Sequence, residues 1–253
     1  MSVEIKIVIF KIPFHCSNTG YKRNYSFQKM QISEEDMGRK EKIRAVIAYF
    51  QETMPEPETE LTYERPYELI VAVILSAQCT DKRVNLITPA FFRKFPEPEQ
   101  LAAARQEDVF EMIRSCSYPN NKAKHLLGMA RVLVDEFKNQ IPKDVESLQK
   151  LPGVGRKSAN VIASVIHKLP VMAVDTHVFR VSARIGLTRG AKNPLQAENQ
   201  LYDVFPEELI PYAHHWLILH GRYVCQARKP KCTTCGLQKV CSYYQNKVLE
   251  SIT

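Results

Sequence analysis

Residues 148–160 read LQKLPGVGRKSAN, and the fold follows from how this stretch divides. Helical patterns over 144–150 and 156–168 flank a tight Pro-Gly-x-Gly turn formed by Pro152, Gly153 and Gly155. Two glycines permit positive φ and let a ligand approach the backbone with no side chain in the way. The helix that follows begins with unpaired N–H groups and the positive end of its dipole facing outward. Such a turn cradles phosphate with main chain and contacts DNA without reading its sequence. An ordinary connection between two helices is the competing reading.

Outward from this turn the pattern stays helical. Ile43, Val46, Ile47 and Phe50 recur at helical spacing before a stop at Pro55 and Pro57. Residues 67–79 follow Pro66 at a helix start and are apolar on nearly every side, which predicts a central buried helix. Further helices are expected over 81–94, 106–116, 121–138, 176–185, 194–204 and 207–224, with most prolines between them or in their first turns. No run alternates with period two long enough to build a sheet, so the fold class is all-α.

The chain has 253 residues, of which 45% are apolar and 25% charged, the balance of a folded protein of one or two domains. Its apolar runs are too short to cross a bilayer, so no membrane partner is expected. A formal charge of +8 points to a polyanion. Residues 1–36 lack the unbroken apolar core and cleavage site of a signal peptide and read as a loose N-terminal extension. An organelle transit peptide is the alternative, although Glu4 is atypical of one. Otherwise the expected location is cytoplasmic, and nucleoid-associated in a bacterium.

Cysteine usage separates into two groups. Cys16, Cys79 and Cys116 read as isolated thiols in a reducing compartment. Cys225, Cys232, Cys235 and Cys241 follow C-x6-C-x2-C-x5-C, a spacing that wraps a soft metal centre. Zinc ribbons use two C-x2-C pairs and this segment has one, so a cuboidal cluster with one cysteine per corner fits better. Arg228, Lys229 and Lys231 lie between the first two cysteines, on a loop that either grips phosphates or is simply solvated.

Two residues near the turn carry reactive chemistry. Lys157 directly follows Arg156 in a first helical turn, where the helix dipole and a like charge both oppose an ammonium. A nucleophilic lysine needs that setting, whereas a phosphate-binding lysine keeps its charge. Asp175, in VMAVDTHVFR, follows an apolar run and precedes an amphipathic helix. It reads as an N-cap, as a carboxylate that stabilises positive charge and moves protons, or as both. His214, His215 and His220 lack an i, i+4 ligand pair and read as solvent or core residues, and Trp216 reads as core.

LPGVGRKSAN, VDTHVFRVSARIG, the cysteine tail and LSAQCTD at 75–81 occur in the same order as in the endonuclease III family, which the chain resembles from about Met37 to Tyr244. That family comprises the bifunctional DNA glycosylases and abasic-site lyases of base excision repair. The resemblance implies a two-domain helix-hairpin-helix glycosylase fold with a C-terminal [4Fe-4S] cluster held by Cys225, Cys232, Cys235 and Cys241. One domain would span 58–169, and the other would join 37–57 with 170–253. Lys157 would be the Schiff-base nucleophile at the sugar C1′, with Asp175 its partner across a cleft. Gln78 matches the glutamine that enters the duplex where the damaged nucleotide is flipped out. Tyr118 stands where the family often has a leucine wedge, and departs from it. Gly153, Gly155, Arg156, Arg228, Lys229 and Lys231 would hold the backbone of double-stranded DNA containing damaged bases or abasic sites. The implied enzyme is a monomer acting on oxidised pyrimidines. Two rivals remain. A monofunctional adenine glycosylase usually lacks this lysine and adds a further domain, and a non-catalytic DNA clamp has no use for Lys157 and Asp175.

Overall fold

The computed structural model describes residues 34–248, so the expectations for residues 1–33 lie outside the described residues. The described residues contain no strand. In chain order the helices are α1 (Glu34–Thr53), α2 (Pro66–Ser76), α3 (Asp81–Lys94), α4 (Pro98–Ala102), α5 (Gln106–Ile113), α6 (Pro119–Asp135), α7 (Val145–Leu148), α8 (Arg156–His167), α9 (Thr176–Ile185), α10 (Pro194–Tyr202) and α11 (Ile210–Tyr223).

Buried apolar side chains form two clusters. The first gathers α2 to α8 around α2, in which every residue from Tyr67 to Leu75 is buried. Burying each of Leu69, Ile70, Ile74 and Leu75 contributes about 2 kcal/mol, which is why α2 carries no polar stripe. The second packs α1 against α9, α10 and α11, with Phe50 stacked on Trp216 at 5.7 Å between ring centroids. The Trp216 indole also donates to the Met54 carbonyl at 2.7 Å, closing the end of α1.

The chain passes from the first cluster to the second within residues 168–175. Leu169 and Val171 pack on the first, and Met172 and Val174 on the second. Hydrogen bonds fix this crossing from both sides. The Asn160 amide of α8 donates to the Met172 carbonyl at 2.9 Å, and the Met172 N–H donates to the Tyr202 hydroxyl of α10 at 3.0 Å. A second tie runs from Arg222 of α11 to Asp81 of α3 at 2.6 Å and to Glu60. These ties hold together α8, whose first turn carries Lys157, and α9, whose N-cap is Asp175.

Candidate active site

The turn between α7 and α8 uses its glycines differently. Gly153 has φ +84°, and a Cβ there would stand 2.8 Å from the His125 Cβ. Gly155 has φ −83°, and a Cβ there would meet nothing within 4 Å. The expectation that both glycines serve positive φ is therefore corrected: only Gly153 does. Gly155 is the N-cap of α8 and gives it no side-chain cap, so the first N–H groups of the helix stay open for an outside acceptor.

Lys157 is exposed in the first turn of α8. Asp175 is the N-cap of α9, where its Oδ1 accepts the Val178 N–H at 2.8 Å. Both line one cleft of about 620 Å³, together with Gln78, Asp81 and Arg222. That volume lies in the range of roughly 300–1,000 Å³ typical of ligand sites. Asp175 is thus a cap and a cleft residue together. A deeper recess behind it adds His214, whose Nδ1–H donates to the Ala173 carbonyl at 2.7 Å. Burial, then the neighbouring His215, pushes the His214 imidazole well below its ordinary value, so the ring is neutral.

Gln78 and Tyr118 lie on adjoining loops. Both are exposed and both hold left-handed backbone, at φ 53° and 55°. The Ser117 hydroxyl donates to the Gln78 carbonyl at 2.6 Å and joins the loops. Beneath them the buried Lys122 ammonium donates to the Leu75 carbonyl at 2.8 Å, closing the end of α2. Non-glycine residues in this region cost about 1–3 kcal/mol each, so two on joined loops are held by their surroundings.

Arg156, expected as a phosphate contact, also has a partner within the protein. Its guanidinium is engaged with Glu198 of α10, with Nη2 at 2.7 Å from Oε1 and Nε at 3.2 Å from Oε2. The Glu198 side chain is 5% exposed and that of Arg156 54% exposed, so the buried carboxylate orients the arginine while one edge stays in water. Sequence reading missed Glu198, because no local pattern distinguishes it from any other helical glutamate. It also missed Arg222 and Glu60, whose pairing spans two distant segments.

Cys225, Cys232, Cys235 and Cys241 line one pocket, apart from the cleft. Among the described residues no three His, Cys, Asp or Glu side chains converge on a single ion position. Two nitrogens face the sulfurs. Arg184 Nη1 lies 3.6 Å from Cys225 Sγ, and His220 Nε2 lies 3.7 Å from Cys235 Sγ. His220 Nδ1 is buried without a partner, so the tautomer protonated at Nε2 leaves no buried donor unmet and points its N–H at the sulfur. N–H donors aimed at cysteine sulfur suit thiolates that carry negative charge as metal ligands. Pro230 and Lys231 border the same pocket, and the exposed Arg228 and Lys229 continue that loop. His214, His215 and His220 are all buried, so the core reading holds for them and the solvent reading does not.

Residues 71–207 match the model of the HhH-GPD superfamily of base excision DNA repair proteins. Endonuclease III of Rickettsia conorii is 44% identical over 204 residues, covering 81% of this chain and 97% of the relative. Endonuclease III of Escherichia coli is 40% identical, covering 78% and 93%. A solved trapped covalent intermediate of endonuclease III with DNA superposes with a TM-score of 0.78 at 39% identity, covering 83% of this chain and 98% of that one. On these matches the chain belongs to the endonuclease III family of the HhH-GPD superfamily.

Proposed function

We propose that this chain is a base excision repair DNA glycosylase and abasic-site lyase that removes oxidised pyrimidines and nicks the strand by β-elimination. The observation that carries the reading is that Lys157 and Asp175, each in or beside the first turn of its helix, line one cleft. The two apolar clusters act as two domains, 58–169 and 37–57 with 170–253, with the cleft between them. The turn at Gly153 and Gly155 takes a DNA phosphate on its open N–H groups, while Gln78 and Tyr118 fill the space left by the extruded nucleotide. Arg156, Arg228, Lys229 and Lys231 add salt-dependent backbone contacts.

The lysine amine attacks the sugar C1′ as the C1′–N bond to the base breaks, and the base leaves with a proton. Opening of the sugar ring gives an imine to Lys157, with Asp175 stabilising the positive charge that develops. Loss of a C2′ proton then expels the 3′ phosphate, and water releases the lysine. The four cysteines fit a [4Fe-4S] group by donor type and by lining one pocket, and Cys225, Cys232, Cys235 and Cys241 would hold it. Its contribution there is structural, fixing the loop that bears Arg228, Lys229 and Lys231.

A strand-nicking and base-release assay over duplexes bearing abasic sites and defined lesions tests the reading. Base release with a nick 3′ to an oxidised pyrimidine is expected. Adenine release without a nick would point to the adenine glycosylase rival, and binding without either product would return the chain to a clamp. Iron and acid-labile sulfide should each be present at about four per chain, and zinc in their place would refute the cluster.

A further inference from the structure

Two cysteines outside the metal-binding set meet beneath the paired loops. Cys79 directly follows Gln78, and Cys116 directly precedes Ser117. The Ser117–Gln78 hydrogen bond of 2.6 Å brings these two chain segments side by side, though they lie far apart in sequence. Cys116 is 5% exposed, while Cys79 is half-buried and packs on the same core. The two thiols lie close enough to interact with each other and with the Lys122 ammonium. The expectation that Cys79 and Cys116 are isolated thiols is therefore corrected, and Cys16 lies outside the described residues.

We infer that Cys79 and Cys116 form a dithiol modification site, which takes up one disulfide and thereby fixes the loop of Gln78 to the loop of Tyr118. The co-reactant is a small-molecule disulfide. Cys79, which has solvent access, loses its proton and attacks one sulfur of that disulfide, releasing one thiolate that is protonated. Cys116 then loses its proton, attacks the Cys79 sulfur of the mixed disulfide and releases the second small thiol. Two protein thiols are oxidised to one disulfide, and one small disulfide is reduced to two thiols. The Lys122 cation opposes, without outweighing, the effect of burial on the Cys116 thiol. Burial pushes the Cys116 thiol up to about 11.

The covalent link acts where the backbone is already constrained. Gln78 and Tyr118 both sit in left-handed conformation and are exposed, and a bond between their neighbours removes the freedom of one loop relative to the other. The chemistry stands independently of the proposed function; only the consequence for DNA rests on it.

The test uses the full chain with its metal in place, treated with oxidised glutathione, then alkylated under denaturing conditions and mapped by mass spectrometry. The expected result is a cross-linked peptide pair containing Cys79 and Cys116, with loss of both alkylation adducts and recovery of both on treatment with dithiothreitol. In Cys116→Ser, Cys79 should instead carry a single glutathione. Stable glutathione on Cys79 of the unaltered chain with Cys116 still free would overturn the proposal, as would the absence of modification at both. Duplex affinity, measured with an abasic-site analogue, should change reversibly on oxidation in the unaltered chain and not in Cys79→Ser. A disulfide that forms without any change in affinity would overturn the coupling of the two loops.

Discussion

Asp175 accepts the Val178 N–H through Oδ1 at 2.8 Å and, from the same position, lines the cleft that Lys157 lines. One carboxylate therefore starts a helix and faces the cleft, and the cap can be separated from the proposed catalytic duty by substitution. Asparagine caps helices about as well as aspartate does. Asp175→Asn should keep folding stability within about 0.5 kcal/mol and leave duplex affinity near its starting value. Turnover should fall by roughly 10²–10⁴-fold, the usual contribution of a positioned acid–base group. Equal losses in affinity and turnover, measured by titration and single-turnover kinetics, would reduce Asp175 to a cap.

The turn glycines should also separate. Gly153→Ala forces a side chain into left-handed backbone and against the His125 Cβ, so it should lower stability by more than about 1 kcal/mol. At Gly155 the backbone is ordinary and the space is open, so Gly155→Ala should cost under about 1 kcal/mol. Its effect should appear in duplex affinity, because the added methyl group stands where a phosphate approaches. Thermal melts paired with binding titrations read both, and a Gly155→Ala chain with unchanged affinity would remove the turn from the interface.

The Arg156–Glu198 pair predicts an asymmetry. Arg156→Ala leaves a carboxylate that is 5% exposed without its guanidinium, and should cost about 2 kcal/mol, trimmed from the fully buried case because the arginine edge is in water. Adding Glu198→Gln to that variant removes the stranded charge while keeping an acceptor for Asn160, and should restore part of the loss. Denaturant midpoints check this, and no recovery in the double variant would contradict the positioning role of Glu198.

His214 and His215 give a pH dependence with a definite sign. Burial lowers both below the ordinary value of 6.5, so between the folded and unfolded values only the unfolded chain binds the proton. Stability is fully present above 6.5 and is lost as pH falls toward the folded values. His214→Asn should flatten the slope of stability against pH below 6.5, whatever it does to absolute stability. An unchanged slope in equilibrium unfolding would show that His214 is not the group responsible.

How much of this was legible in the sequence differs from element to element. The bounds of α3 and α9 match those expected, because Thr80 and Asp175 both cap in the way their side chains favour. The helix α4 escaped periodicity analysis because five residues hold too little of a 3.6 repeat, although Glu97 and Gln100 form a capping box there. At the site, Lys157, Asp175 and Gln78 were visible as motif residues, and the structure places them on one cleft. Glu198, His214 and the Arg222 ties were not, since each works across a long sequence separation. The same reason hid the meeting of Cys79 with Cys116, two residues that carry no shared spacing rule.

The most direct test of the central claim is borohydride trapping on a duplex with a single abasic site. The imine to Lys157 should be reduced to a stable amine, giving a covalent protein–DNA species whose cross-linked peptide contains Lys157. Lys157→Gln should still bind the duplex and give no adduct. An adduct that persists in Lys157→Gln, or strand nicking with no trappable adduct in the unaltered chain, would contradict the account.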